Sequence, residues 1–425
     1  MNLPWFIAKG IIQRTTGGYS GKIIKLAIVS IALSIAVMIL SSLVIKGFKS
    51  EISHKIFGFW GNIHVTDSRI VRNFDLRPIQ NDEELKAEIA SIGSLEYTQG
   101  DSKEQRSTKG GVRNVSPYIT LPSILRSKEQ ELEAMILKGI NAEYDQGNFS
   151  EYLLEGAFPS LSDSLPSREI LISQQTAKRL RLQLGDKVII HIFKNEAPVK
   201  RQFKVCGIYR TGLEEYDRKF ALIDLRIIQD LLGWRRDQVG GYEIFIDVVD
   251  DAEPIADYLH SELLSNNLYP ETIQEKHRSI FEWLEFQDIN ERVILLLMII
   301  VALINMSTAL LILILERTKM IGVLKTLGMG NVHIRAVFIY NALYILLLAL
   351  FLGNLLGLAI AFLQSEFGFL KLDEESYYLS QVPIHFDLSA IFYINVGTIL
   401  LTLLVMIIPT YLITKIDPTR ILRFD

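Results

Sequence analysis

Histidines are the residues of this chain best suited to bind a metal or move a proton. All seven, His54, His64, His191, His260, His277, His333 and His385, are scattered along the sequence. No HExxH pair places two of them on one helix face, no GxSxG elbow presents a serine, and no Walker A loop cradles a phosphate. Gly17-Gly18-Tyr19-Ser20-Gly21-Lys22 comes nearest to a phosphate loop. It fails because Thr16 stands in place of the first glycine, Ile23 replaces the Ser/Thr that would hold magnesium, and no strand precedes it. The one cysteine, Cys206, can form no internal disulfide and reads as a small apolar residue buried in a strand. The expectation is a chain without catalytic residues, metal or cofactor of its own.

What remains is a basic segment between two long apolar runs, Glu316–Arg335, with the sequence ERTKMIGVLKTLGMGNVHIR. Val293–Leu315 before it and Ala336–Leu363 after it carry no charge. Each can cross a bilayer as a helix, which needs roughly 20 apolar residues. Within the segment Met320, Ile321, Val323, Leu324 and Leu327 fall at helical spacing as an apolar interior. A short amphipathic helix held at a membrane surface needs something to pack against, and a partner protein fits that need.

The surrounding elements follow from the same pattern. Leu26–Ile45 and Leu388–Thr414 are two further uncharged runs, giving four transmembrane helices in 425 residues with a mean hydropathy of +0.25. Leu26–Ile45 is too long, and too far from the start, to read as a signal peptide. Lys9, Arg14, Lys22 and Lys25 precede the first span, and Arg317, Lys319, Lys325 and Arg335 outweigh Glu316 in the basic segment. By the positive-inside rule both termini and residues 316–335 are expected in the cytoplasm. Residues 46–292, at net −8, and the acidic loop Gln364–Asp387 are expected outside. A domain of that charge is a poor ligand for nucleic acid. Residues 3–14 read as an interfacial helix. Ser30 and Ser34 share a small-residue face of the first span, either a candidate dimer seam or packing within one subunit.

Outside the spans the pattern is mixed α/β, expected as two small subdomains. Asn62–Thr66, Ala134–Gly139, Glu169–Ser173, Lys187–Phe193, Phe203–Tyr209, Phe220–Ile223 and Tyr242–Val248 read as strands. Gln174–Leu182, Leu225–Leu232 and Pro254–Leu264 read as helices, the second closed by Gly233. Thr108–Val112 and Pro159–Ser167 read as exposed loops. From Glu275 a charged helix is expected to run without a breaker into the second span. No span holds an ionisable residue other than tyrosine, which argues against an ion-coupled carrier. Asn305, Asn341, Asn354 and Asn395 are expected to form interhelical hydrogen bonds. Energy for any work must then come from a partner.

The whole chain resembles the permease subunit of the bacterial lipoprotein-releasing ABC transporter, within the superfamily of MacB-like and FtsX-like permeases. Phe6-Ile7-Ala8-Lys9, with Ile45-Lys46-Gly47-Phe48-Lys49-Ser50-Glu51 after the first span, is similar to the family's opening. Glu316-Arg317 with Ile321-Gly322-Val323-Leu324-Lys325-Thr326-Leu327-Gly328 is similar to its coupling segment. Tyr377-Tyr378-Leu379-Ser380-Gln381-Val382-Pro383-Ile384 resembles the outer loop of the lipoprotein-releasing branch, and Asp417-Pro418-Thr419-Arg420-Ile421-Leu422-Arg423 the superfamily's ending. Lys46 stands where the family usually has asparagine, and the opening carries less arginine than usual.

The resemblance implies an extracytoplasmic domain at 47–274 between spans at 23–46 and 275–315. Behind them come a coupling helix at 316–335, a span at 336–363, an outer loop at 364–387, a span at 388–414 and a tail at 415–425. It implies ATPase coupling through Glu316, Arg317, Lys319, Ile321, Gly322, Leu324, Lys325, Leu327 and Gly328. A substrate path is implied beside Ile45, Gly47 and Phe48 at the outer end of the first span. The implied partners are two copies of a cytoplasmic ATPase, which binds the ATP, a second permease (self or paralogue), a lipoprotein substrate and a periplasmic carrier. Three other readings stand beside this one: a MacB-like efflux permease, an FtsX-like regulator of cell-wall hydrolases, and a membrane-anchored sensor needing no ATPase.

Overall fold

The computed structural model describes residues 3–14, 19–70, 76–98, 105–161, 165–194, 197–373, 377 and 379–415. The phosphate-loop-like glycines Gly17 and Gly18, the ending Asp417–Arg423 and Tyr378 lie outside them. The chain divides into a helical unit, residues 1–50, 283–371 and 381–425, and a sheet unit, residues 51–282 and 372–380.

The helical unit is built from α1 (Leu3–Arg14), residues 19–50 of α2 (Tyr19–Trp60), residues 283–316 of α3 (Arg278–Glu316), α4 (Thr318–Thr326), α5 (Asn331–Phe367) and α6 (Leu388–Val405). Four of these, α2, α3, α5 and the helix begun by α6, are long and apolar enough to cross a membrane. The last bends at Met406 and resumes as short helices at Ile407–Thr410 and Leu412–Lys415. Pro409 explains the bend, since its ring clashes with the carbonyl four residues earlier, that of Val405. In α1, Ala8 and Ile11 are buried, and Trp5 meets Tyr340 of α5 edge to face at 5.6 Å.

Lipid offers no hydrophobic drive between spans, so close packing and polar contacts hold them together. Gly353 and Gly357 of α5 set its backbone against Ala32, Ile35 and Ala36 of α2. Asn305 of α3 donates to the Ser30 hydroxyl of α2 at 2.7 Å, and Asn354 and Asn395 exchange hydrogen bonds at 2.7 and 3.0 Å. Asn341 instead donates to the Val337 carbonyl of its own helix. Asn354→Ala is expected to cost about 0.6 to 2 kcal/mol. Adding Asn395→Ala should then cost little more, as a double-mutant cycle by thermal melting in detergent would show. Ser34 is buried and donates to the Ser30 carbonyl of its own helix, and Ser30 is half-buried.

In the sheet unit ten strands form one mixed sheet. They are β1 (Ile63–Asp67), β2 (Val112–Arg126), β3 (Leu132–Ile140), β4 (Leu153–Gly156), β5 (Glu169–Ser173), β6 (Lys187–Lys194), β7 (Ala197–Tyr209), β8 (Phe220–Asp224), β9 (Gly241–Ile246) and β10 (Leu268–Thr272). Their order is β10-β1-β9-β2-β3-β8-β5-β7-β4, with β6 pairing both β7 and β2. Two separate apolar cores flank it: one around Leu137, Ile172, Ile190 and Ile223, the other around Val65, Ile244, Ile255 and Leu259. Cys206, on β7, is half-buried and donates to the Ile170 carbonyl at 3.3 Å; burial pushes its thiol up to about 12.

Several elements differ from expectation. The long strand β2 contains Pro117 and Pro122, which hid it. The chain tolerates both because its partner changes: β9 pairs up to Tyr118, β3 from Ile119, and β6 only from Ile124. Each proline falls where one side of the ladder is open, so no donor is missed. Thr108–Val112 is not an exposed loop. Thr108 is buried, and Asp251 and Asp247 accept the amides of Lys109, Gly110 and Gly111. The helix before the second span does not begin at Glu275. Thr272 and Glu275 form a capping box for a separate turn, Ile273–Lys276, and α3 starts at Arg278 after a break at His277. The helix expected at Pro254–Leu264 starts at Ala252 and ends in a wider π turn.

Candidate coupling segment and the loop beside the first span

α4 is short because both its ends are fixed. Arg317 is its N-cap, one residue after α3 stops at Glu316. At the other end Gly328 has φ of +86°, a left-handed conformation that costs glycine little. The Gly328 amide bonds the Lys325 carbonyl and the Met329 amide bonds the Leu324 carbonyl, both at 3.0 Å. That pair of bonds is a Schellman stop. Gly330 then caps α5.

The stop determines which face is offered. Ile321 and Gly322 are buried, and Met320, Leu324 and Met329 pack on the helical core beside Ile334. Val323 is 46% exposed, Leu327 77% and, in the first turn of α5, Val332 74%. So the apolar interior expected for this segment is divided, and Val323 and Leu327 belong to the outside. Glu316 and Lys319 are exposed beside them. Lys325 instead turns inward and donates to the Ile413 carbonyl at 2.7 Å, and the Arg335 guanidinium lies 5.3 Å from the Tyr411 ring centre. Neither contact to the fourth span could be read from sequence, because nothing local signals a partner some eighty residues away.

At the opposite end of the first span, two segments that the sequence singled out separately come together. Gly47 is buried, and a side-chain carbon there would lie 2.5 Å from the Pro383 carbonyl oxygen and 3.1 Å from the His385 nitrogen. The His385 amide donates to the Leu43 carbonyl at 3.1 Å. Lys46 pairs with Asp387 at 2.6 Å, and Lys49 with Asp288 of α3 at 2.9 Å. Asp387 also caps α6 by accepting the Ser389 and Ala390 amides. The Lys46 ammonium, with the Ser389 hydroxyl and the Ala390 amide, holds its carboxyl well below the usual carboxylate range. Ile45 and Phe48 flank this contact and are half-buried. The lysine at position 46, unusual for the family by resemblance, thus has a partner in the loop. Among the described residues no cluster of three or more His, Cys, Asp or Glu could hold a metal.

Comparison with known proteins places this geometry. Residues 26–259 match the family described as MacB-like periplasmic core domain, and residues 292–418 the one described as FtsX-like permease C-terminal. The lipoprotein-releasing system transmembrane protein LolC of Xylella fastidiosa is 21% identical over 424 residues, 96% of this chain and 95% of that protein. LolC of Neisseria meningitidis is 21% identical over 442 residues and LolE of Haemophilus influenzae 21% over 445, each spanning 99% of both chains. The periplasmic region of MacB from Actinobacillus actinomycetemcomitans aligns with 52% of this chain and 92% of its own, at 13% identity and a TM-score of 0.34. Since the first family match covers more than half of the chain and the second continues it through the last three spans, the chain belongs to the MacB/FtsX-like permease family.

Proposed function

We propose that this chain is the permease subunit of an ABC transporter that extracts lipoproteins from the inner membrane for transfer to a periplasmic carrier. The observation that carries the reading is the exposed Val323–Leu327 knob, on a short helix closed by a Schellman stop between two spans. Near full-length similarity to proteins named LolC and LolE supports the cargo class.

In this reading both termini and α4 face the cytoplasm. Two copies of a separate ATPase bind the ATP and seat α4 at the exposed Glu316, Lys319, Leu327 and Gly328, while Ile321, Gly322, Leu324 and Lys325, turned toward the helical core, hold the segment to the spans behind the Arg317 cap. A second permease, identical or paralogous, completes the assembly. The lipoprotein passes the outer end of the first span at Ile45, Gly47 and Phe48. An anchored acyl chain costs about 0.8 kcal/mol per CH₂ to withdraw, so a three-chain anchor requires both ATP hydrolysis and an acceptor.

Depletion of the protein followed by membrane fractionation tests the reading. Lipoproteins bound for the outer membrane should accumulate in the inner membrane. Normal sorting after depletion would exclude lipoprotein release and favour efflux or regulation of cell-wall hydrolases.

A further inference from the structure

The far end of α2 finishes inside the sheet unit, on a cluster of buried charge. Lys138 of β3 and Glu243 of β9 are both fully buried and pair at 2.8 Å. The Lys138 ammonium also donates to the Phe59 carbonyl at 2.6 Å, in the last turn of α2. Aromatic rings enclose it, with the centres of Trp60, Phe59 and Tyr144 at 4.6, 4.9 and 5.0 Å. The next carbonyl, that of Trp60, lies 2.7 Å from His64 Nε2. A carbonyl can only accept, so Nε2 carries the proton and Nδ1 is left as an acceptor. The Lys276 ammonium stands 3.0 Å from that Nδ1, and it belongs to the capped turn immediately before α3. Glu271 balances Lys276 at 3.9 Å, and the Ile273 amide bonds the Asn62 carbonyl at 2.9 Å. Burial, then the neighbouring Lys276 charge, holds the His64 imidazole well below its usual range and therefore neutral.

Helix C-termini leave carbonyls without partners, and a cation there is favoured by the helix dipole. A solvated lysine would do this more cheaply. A fully buried ion pair adds little to stability compared with apolar side chains of similar size, whereas losing one partner is severe. Such a pair is better suited to fixing geometry.

We propose that Lys138, with Glu243 and His64, is a positioning site that locks the end of α2 and the turn before α3 to the sheet, so that both helices act on the sheet as one part. Lys138 holds the α2 end through Phe59. His64 is the bridge: one ring nitrogen holds Trp60, the other Lys276. The functional arm of this inference rests on the transport reading; the structural arm does not.

The test uses the full-length chain in lipid nanodiscs, alone and with its ATPase, and the variant K138M/E243L, which replaces the pair with apolar groups of similar size. Melting temperature and amide exchange in β3 and β9 should stay as in the unaltered chain. Exchange at residues 57–64 and 273–277 should quicken about tenfold, and lipoprotein released per ATP should fall by about as much. Unchanged exchange in those two segments would overturn the joint. Faster exchange with undiminished release per ATP would overturn its role in transport. If the unaltered chain releases no lipoprotein, the transport reading fails while the exchange result still decides the joint. Should K138M/E243L not fold, His64→Leu and His64→Gln decide: the amide of the second can still donate to Trp60. Leucine should quicken exchange and glutamine should not, and equal behaviour would refute the assignment.

Discussion

Leu327→Asp is expected to abolish capture of the partner ATPase while leaving the chain folded and inserted. The side chain is 77% exposed, so its loss removes almost no packing. Exposed substitutions usually change stability by no more than about 0.5 kcal/mol. At an interface the same side chain is placed to act as an anchor. Truncating such a residue costs about 2 kcal/mol or more, roughly thirtyfold in affinity, and a buried carboxylate adds its own desolvation cost. Affinity purification of the tagged permease should recover the ATPase with the unaltered chain, less with Leu327→Ala, and none with Leu327→Asp. Thr326→Ala, one position away on the same exposed turn, should recover the ordinary amount. Undiminished recovery with Leu327→Asp would remove α4 from the coupling role.

The second large effect belongs to Gly47. A methyl group there would meet the main chain of Pro383 at 2.5 and 2.8 Å, closer than non-bonded atoms tolerate. The loop must retreat, which breaks the His385 bond to the Leu43 carbonyl and shifts Asp387 away from Lys46. Gly47→Ala should cost about 1 to 3 kcal/mol, as overpacking usually does, and Gly47→Val more. Melting in detergent and limited proteolysis within residues 368–387 measure it: the melting temperature should fall and the loop should be cut sooner. Pro383→Gly should not rescue Gly47→Ala, because the clash is with the carbonyl and not with the ring. A Gly47→Ala chain as stable and as resistant as the original would show that the approach is not needed.

What the sequence revealed depended on whether the cause was local. Glu169–Ser173 and Leu225–Leu232 were legible to the residue: one is a short apolar run, the other ends at Gly233 with φ of 73°. The existence of four helices able to span a membrane was legible too, since each holds some twenty apolar residues, but their ends were not. The continuation of the first span to Trp60 was not, because Lys46, Lys49, Glu51 and His54 look like a departure from the helix. They mark only its departure from the hydrocarbon. Within Glu316–Arg335 the apolar helical spacing was readable, but the division of its apolar residues was not. Helical spacing groups Ile321 with Leu324 and Leu327 alike; Ile321 joins the helical core, Leu324 packs against it, and Leu327 is left bare. Lys138 and Glu243 were hidden because each interrupts an apolar strand from far away, and only tertiary pairing brings them together.

The length of α2 has a geometric consequence. Forty-two residues at a rise of 1.5 Å make a rod about 63 Å long. The hydrocarbon of a bilayer is about 30 Å thick, so roughly half of the rod stands clear of it. A rod pivoting at the membrane face multiplies small angles into travel. Residues 46–60 of α2 lie beyond the outer end of its uncharged run and make a lever about 22 Å long, so a tilt of about 10° within the bilayer would sweep the Trp60 end through about 4 Å.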